Sequence, residues 1–193
     1  MTYRHSLYLA PLLYLFAFLI SAIQPVTAAT FVVTSTADAG LGSLRQAIQS
    51  ANSLPGPDLI QFNIPGTGVH TIVAGSDLPF VTDSLTIDGT SQPGYSGKPL
   101  IVLTGLAGRT AYGFGLIPGN CVVRALTING FASVGVLVYG SGNIIEGCFI
   151  GTDSDGVQAV KASVVIHEMS WMLLIFTRRK QSYQRHRRSL LVK

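Results

Sequence analysis

The sequence predicts an all-β solenoid, a parallel β-helix in which each turn of the chain (a rung) holds about 22 residues. Short β-branched runs alternate with Gly, Asn and Ser, similar blocks recur 22 residues apart, and all 21 glycines lie between residues 40 and 156. Short strands at a fixed period, separated by turn residues, indicate rungs that bury an apolar core by stacking. The sequence has neither the 3.6-residue stripes of a helical solenoid nor the leucine–asparagine ladder of a leucine-rich repeat.

Residues 1–28 have the pattern of a secretory signal peptide. Arg4 and His5 precede an apolar run over residues 7–20, and Val26-Thr27-Ala28 provides small residues at a cleavage site. The alternative is a membrane anchor, but the apolar run holds about 14 residues, whereas a spanning helix needs roughly 20. We therefore expect cleavage after Ala28 and a mature chain without a transmembrane helix, either secreted or at the cell surface.

Residues 29–56 predict an N-terminal cap made of one strand and one helix. Residues 31–34 are strand-like, and Ser43 and Gln46 have the S-x-x-Q spacing of a helix capping box. One apolar helix face follows at positions i, i+3, i+4 and i+7, formed by Leu44, Ala47, Ile48 and Ala51. Prolines soon after residue 52 end the helix. Such a cap would cover the open end of a β-helix.

Residues 57–160 hold the repeats. Residues 113–116 recur as 135–138, and three apolar positions recur 22 residues later, pairing Val123 with Ile145, Leu126 with Cys148, and Ile128 with Ile150. A longer match joins residues 85–89 to residues 126–130 at a spacing of 41, close to two periods. Equivalent side chains on neighbouring rungs should lie about 4.8 Å apart.

This period places particular side chains above one another. Arg124 and Glu146 are 22 residues apart, which predicts an outward-facing ion pair on adjacent rungs. We favour a solvated pair over a substrate-binding arginine. Cys148 takes the position of Leu126, whereas Cys121 should be displaced along its rung. Because disulfides need Cα atoms within about 7 Å, we expect two unbridged thiols.

Several blocks resemble a known bacterial module. Residues 31–38, 42–48 and 51–52 resemble the CSLREA-type N-terminal module of large secreted or surface β-helix proteins, and residues 83–94 and 150–153 resemble the rungs that follow it. Gly42 stands where that family has its name-giving Cys, and Gln46 stands where it has Glu. The resemblance implies a right-handed parallel β-helix used for surface display or adhesion. It implies no catalytic residues.

The charge pattern argues against a nucleic-acid partner. The formal net charge is +4, but residues 29–160 contain four basic and eight acidic residues, a net charge of −4. The excess of positive charge lies in the C-terminal tail. A nucleic-acid-binding domain needs a basic patch on its folded surface, and the sequence offers none there.

Residues 161–193 form an atypical basic tail. Residues 157–193 contain neither Gly nor Pro, yet include Trp171, Met169 and Met172. This change of composition predicts a frameshifted or fused reading frame that replaces the rungs of a longer protein. The alternative is a genuine amphipathic tail whose basic residues contact an anionic membrane surface.

The sequence contains no complete catalytic or metal motif. His167-Glu168-Met169-Ser170-Trp171 begins like the zinc motif H-E-x-x-H, but Trp171 replaces the second histidine. The segment over residues 153–156, Asp-Ser-Asp-Gly, opens like a calcium loop, but Ala162 replaces the required Glu. Asp83 and Asp88 have no acidic neighbour one period away. We therefore predict no catalytic residue, no metal site and no cofactor.

The sequence predicts a non-catalytic secreted or cell-surface β-helix module, an adhesion or structural scaffold, truncated from a longer protein. A surface glycan or another extracellular ligand is the expected partner. One alternative is the N-terminal piece of a carbohydrate-active β-helix enzyme, either a polysaccharide lyase or a glycoside hydrolase. Another is a truncated product with no function of its own.

Resequencing the gene beyond codon 160 tests the origin of the tail. We expect one of the other two reading frames to resume a Gly-rich sequence with a 22-residue period, because the glycine pattern stops abruptly after residue 156. If neither frame resumes it, the basic tail is genuine.

Overall fold

A computed structural model describes residues 27–107, 109–162 and 164–166 of the chain. These residues contain one helix, α1 (Leu44–Asn52), and a short 3₁₀ turn (Gly89–Ser91) among twelve strands. The strands are β1 (Thr30–Val33), β2 (Asp58–Phe62), β3 (His70–Ala74), β4 (Leu85–Asp88), β5 (Ile101–Gly105), β6 (Tyr112–Leu116), β7 (Val122–Arg124), β8 (Leu126–Asn129), β9 (Val134–Val138), β10 (Ile144–Glu146), β11 (Phe149–Ile150) and β12 (Val164–Ile166). The prediction of a β-rich fold with one N-terminal helix is confirmed.

The strands form three sheets, and the paired strands in each sheet are parallel. Sheet A has the order β1-β2-β4-β7-β10, sheet B the order β3-β5-β8-β11, and sheet C the order β6-β9-β12. From β4 onward the chain passes through sheets A, B and C in turn, three times over. Each strand therefore returns beside the strand of the previous passage, which is the connection that parallel pairing requires.

The predicted 22-residue spacing holds in one ladder of each sheet. Val123 pairs with Ile145, Ile128 pairs with Ile150, and residues 114 and 136 pair in sheet C. Earlier ladders have other spacings, such as 36 residues between Ile87 and Val123. Loops between strands can lengthen at little free-energy cost, so the strand pairing persists while the spacing varies.

One predicted equivalence is wrong. Residues 85–88 form β4 in sheet A, whereas residues 126–129 form β8 in sheet B, so the match at a spacing of 41 does not join stacked strands. The two segments look alike because each alternates inward-facing apolar residues with more polar ones. This alternation marks a strand with one face on the core, but it does not specify the sheet.

Inward-facing aliphatic side chains stack into columns between the sheets. In sheet A the register places Ile60, Ile87, Val123 and Ile145 above one another, and each is at most 2% exposed. Sheets B and C contribute further buried columns that include Ile72, Leu103, Ile128, Phe114 and Val136. Because no single passage of the chain could bury its apolar face alone, stacking creates the core.

Helix α1 begins at the predicted cap. The hydroxyl of Ser43 accepts a hydrogen bond from the amide of Gln46, and the Gln46 side chain accepts one from the Gly42 amide at 2.9 Å. In a standard capping box this side chain accepts from the amide of the N-cap residue, which here is Ser43. Gln46 instead accepts from the amide of Gly42, one residue earlier. The predicted apolar face is buried against the sheets, through Leu44, Ala47, Ile48 and Ala51.

Gly42 occupies a position that favours glycine. Its φ is +73°, and a Cβ atom there would lie 2.3 Å from the hydroxyl oxygen of Thr34. Side-chain-bearing residues rarely adopt this backbone conformation. The backbone conformation and the nearby Thr34 side chain thus explain why glycine fits at this position.

Side-chain amides complete the backbone pairing where strands turn. Gln92, which is 1% exposed, accepts from the Ile64 amide and donates to the Ile64 carbonyl, both at 2.9 Å. Asn52, at the end of α1, donates to the Phe80 carbonyl at 2.7 Å and accepts from the Thr82 amide at 2.9 Å. Each amide side chain thus takes the place of a neighbouring strand's peptide group, because it offers the backbone both a donor and an acceptor.

Parallel pairing continues past residue 160, where the predicted repeat region ends. Strand β12 pairs with β9, and its offset of 28 residues between Val136 and Val164 exceeds the predicted period. The signal-peptide prediction for residues 1–26 lies outside the described residues. So do residues 167–193 of the predicted tail, including His167, Glu168 and Trp171. Among the described helices, none is long and apolar enough to cross a membrane.

Replacing Gln92 by Leu tests the role of its side-chain amide. The substitution leaves the Ile64 amide and carbonyl without their partner, and each buried unsatisfied group costs about 1–3 kcal/mol. We therefore expect the free energy of unfolding to fall by roughly 2–4 kcal/mol in urea titrations. The same change at exposed Gln158 is the control and should alter stability by less than about 0.5 kcal/mol. Equal effects at both positions would contradict this role.

Candidate functional site

Four polar residues form a column on the outer face of sheet A. Gln61, Asp88, Arg124 and Glu146 occupy successive register positions on β2, β4, β7 and β10. Because neighbouring residues along a strand point to opposite faces, and the preceding residue on each of these strands faces the core, these four side chains face outward. We call this set the sheet A polar column.

Arg124 lies between two carboxylates in this column. One of its terminal nitrogens, Nη2, donates to Asp88 Oδ2 at 2.7 Å, and the other, Nη1, lies 4.0 Å from Glu146 Oε1. The predicted stacking of Arg124 and Glu146 is confirmed, but Asp88 is the closer partner. The 22-residue period does not reveal Asp88 as a partner, because Asp88 and Arg124 are register partners that lie 36 residues apart.

Asp88 is held in its ionised form. Burial by itself raises the pKa of this carboxyl group, but hydrogen bonds from Arg124 and Thr90 outweigh that effect, so the pKa lies below its ordinary value. Thr90 donates to Asp88 Oδ1 through both its amide, at 2.9 Å, and its hydroxyl, at 2.6 Å. The hydrogen bond to Asp88 in turn raises the pKa of Arg124. The pair is therefore fully charged at neutral pH.

This arrangement suits binding better than acid–base catalysis. Glycoside hydrolysis uses two carboxyl groups, one of which must hold a proton near neutral pH. Here the more buried carboxylate has a lowered pKa and a guanidinium partner. The half-exposed side chains of Arg124 and Glu146 can still form hydrogen bonds with the hydroxyl groups of a polar ligand.

The segment that resembles the start of a calcium loop forms a self-contained turn. Asp153 Oδ1 accepts from the amides of Val157, at 2.9 Å, and Asp155, at 3.2 Å. The bond from Val157, with further backbone bonds, lowers the pKa of Asp153. Asp155 pairs with Lys98 from another loop. Within the described part of the chain, no three His, Cys, Asp or Glu side chains come together as metal ligands.

Both cysteines are core residues. Cys148 aligns with Leu126, as the 22-residue period predicts. The two residues immediately precede the first register pair of β11 and β8, Phe149 and Thr127. The amide of Cys121 donates to the side chain of Asn143 at 2.8 Å. Neither cysteine forms a disulfide. Burial raises the pKa of Cys121 and raises that of Cys148 to about 12, so neither thiol has the low pKa of a catalytic nucleophile.

A shallow groove of about 310 Å³ runs between β1 and α1. Its lining includes Phe31, Val32, Leu41, Gln46 and Ser50, and no charged side chain contributes to it. It therefore offers apolar contacts and neutral hydrogen-bonding groups, whereas the sheet A polar column offers charge.

The chain matches no protein-family model, and no curated protein sequence matches it significantly. The similarity to the CSLREA-type module and to surface β-helix proteins therefore remains a prediction from the residues that resemble it.

Replacing Arg124 by Gln tests the electrostatics of the column. A carboxyl group with a lowered pKa stabilises the fold above its unfolded-state pKa of about 3.9, and this contribution is lost as the pH falls through the folded-state value. We expect the variant to be less stable at pH 7 by about 1 kcal/mol, a modest value because Arg124 is partly exposed. The deficit should be smaller at pH 3, which lies below the unfolded-state pKa, because the contribution of Asp88 is lost progressively as the pH falls toward the folded-state value.

Urea unfolding at both pH values measures this effect, and Arg109→Gln is the matched control at an exposed position. That variant should show no pH-dependent deficit. A deficit in Arg124→Gln that is equal at pH 7 and pH 3 would show that Arg124 acts through packing alone.

Proposed function

We propose that this protein is a secreted or cell-surface right-handed parallel β-helix that serves as a non-catalytic adhesion or structural scaffold. The parallel pairing of the strands and the repeated passage through sheets A, B and C support this fold. The predicted signal peptide and the resemblance to surface β-helix proteins support the location. The change of composition after residue 156 supports a longer parent protein.

The observation that carries the non-catalytic role is the position of Arg124 in the sheet A polar column. Its guanidinium group lies between Asp88 and Glu146, so the two carboxylates that share the column share one cation. An outer sheet face with a fixed ladder of hydrogen-bonding groups matches the repeating hydroxyl groups of an extended glycan. In this proposal the column binds such a ligand and leaves its bonds intact.

A glycan array and a reducing-sugar assay on the secreted protein test this function. We expect binding to at least one extracellular polysaccharide and no release of reducing ends. Arg124→Gln should weaken the binding about tenfold or more, as the loss of a charged hydrogen bond of about 1.5–3 kcal/mol predicts. Arg109→Gln, the same substitution outside the column, should bind like the unaltered protein.

Each other outcome contradicts part of the proposal. Release of reducing ends would identify a carbohydrate-active enzyme. Binding that Arg124→Gln leaves unchanged would place the ligand elsewhere on the surface. Absence of binding to every glycan would exclude the adhesion role toward glycans and leave the structural one.

A further inference from the structure

The carboxylate of Asp58 lies buried at the start of β2, and only one of its two oxygens has a hydrogen-bond partner among the described residues. The residue is 2% exposed. Its Oδ1 atom accepts a hydrogen bond from the Ala29 backbone nitrogen at 2.7 Å, whereas Oδ2 is buried and has no partner among the described residues. A buried charge without a counter-ion carries a large desolvation free energy. A cation beside Oδ2 would therefore stabilise this carboxylate.

No arginine, lysine or histidine in the described part of the chain forms an ion pair with Asp58. The ion pairs found there join Arg45 to Asp38, Lys98 to Asp155, and Arg124 to Asp88 and Glu146. The Asp58 side chain instead accepts a hydrogen bond from the backbone nitrogen of Ala29.

Ala29 is also the residue where ordered strand pairing begins. Its carbonyl accepts from the Leu59 amide at 2.8 Å, and β1 follows at once. Thr27 and Ala28, just before it, are exposed. The boundary between exposed chain and paired chain thus coincides with the cleavage site predicted from the small residues that end at Ala28.

We propose that cleavage between Ala28 and Ala29 creates an α-ammonium group at Ala29 that forms a buried ion pair with Asp58. The inference depends on the signal-peptide prediction and is independent of the proposed adhesion role. A signal peptidase hydrolyses the peptide bond: the carbon–nitrogen bond breaks, and the water oxygen becomes part of the Ala28 carboxylate. The water's two hydrogens end on the Ala29 nitrogen, which becomes –NH₃⁺.

Cleavage changes what the Ala29 nitrogen can donate. As a peptide group it offers one N–H, which Oδ1 already accepts. As an ammonium group it offers three N–H donors and a full positive charge. One donor can keep the bond to Oδ1 and a second can reach Oδ2 of the same carboxylate. Hydrogen bonds between charged groups are shorter and stronger than neutral ones.

This ion pair would connect removal of the targeting segment to the stability of the N-terminal cap. The Ala29 carbonyl accepts a hydrogen bond from Leu59 of β2, and β1 pairs with β2. Helix α1 packs against both strands. Processing then completes a contact at the base of the cap that the precursor cannot make. The mature chain gains this interaction only after it has been cleaved.

The first experiment identifies the N-terminus. The full chain is expressed with its signal peptide in a bacterium, and intact-mass analysis of the exported protein should give Ala29 as the first residue. A different mature N-terminus would overturn the proposal.

The second experiment measures coupling between the N-terminus and Asp58. Thermal unfolding is compared for the mature protein and for a form that retains Ala28, each with and without Asp58→Asn. In the mature protein we expect Asp58→Asn to lower Tm by roughly 5–10 °C, because it removes one partner of a buried ion pair. In the form that retains Ala28 the same substitution should lower Tm by less than half as much.

Asp83→Asn is the matched control. Asp83 accepts hydrogen bonds from the backbone amides of Gly56 and Ser84, both at 2.7 Å, and neither amide becomes a chain terminus. This substitution should therefore lower Tm equally in both forms. If Asp58→Asn also lowers Tm equally in both forms, the proposed ion pair does not exist.

A chemical readout covers the case in which Asp58→Asn does not fold. A pyridine aldehyde that labels α-amines is applied to the unaltered mature protein and to an unstructured peptide that begins with Ala29. We expect labelling of the folded protein to be at least tenfold slower, since its amine is held by the carboxylate. Equal rates would overturn the proposal.

Discussion

Parallel hydrogen bonding between distant segments is the constraint on which the rest of this structure depends. Parallel strands cannot be joined by a tight hairpin, so the chain passes through helix α1 between β1 and β2, and through at least one other sheet on each later return beside an earlier strand. Each return places one residue above its register partner. Apolar residues then form inward columns, as Ile87, Val123 and Ile145 do. Backbone groups in the segments between strands need other hydrogen-bond partners. Gln92 and Asn52 supply them through their side-chain amides.

The same register assembles the candidate site. Asp88, Arg124 and Glu146 lie far apart in sequence, and each follows a core-facing residue on its own strand. Stacking brings their outward side chains within ion-pairing distance along one sheet face. The column is therefore a direct product of strand pairing, and its chemistry follows from the order of charges: a cation between two anions offsets part of their negative charge and leaves groups suited to hydrogen bonding.

At the N-terminal end of the fold, helix α1 and several polar side chains contact the first strands. An unprotected sheet edge presents unpaired backbone groups that invite association with other chains. Here α1 buries its apolar face against β1 and β2, the first two strands of sheet A, and Asn52 at its last turn satisfies backbone groups of the segment around Phe80. Asp58 contacts the first paired residue, Ala29. This end of the fold thus combines apolar burial with polar groups near the first paired residue. The proposed α-ammonium group of Ala29 would add a positive charge beside Asp58.

The sequence by itself determined the local features. The capping box and apolar face of α1, the alternation of the strands and the stacking of Arg124 on Glu146 all depend on residues within one element or one regular period. Only the tertiary structure decided the partners across irregular loops. It placed residues 85–88 and 126–129 in different sheets, and it paired Arg124 with Asp88 and Ala29 with Asp58. Side-chain periodicity is a local property of the backbone, whereas the pairing partner depends on loop lengths that periodicity does not encode.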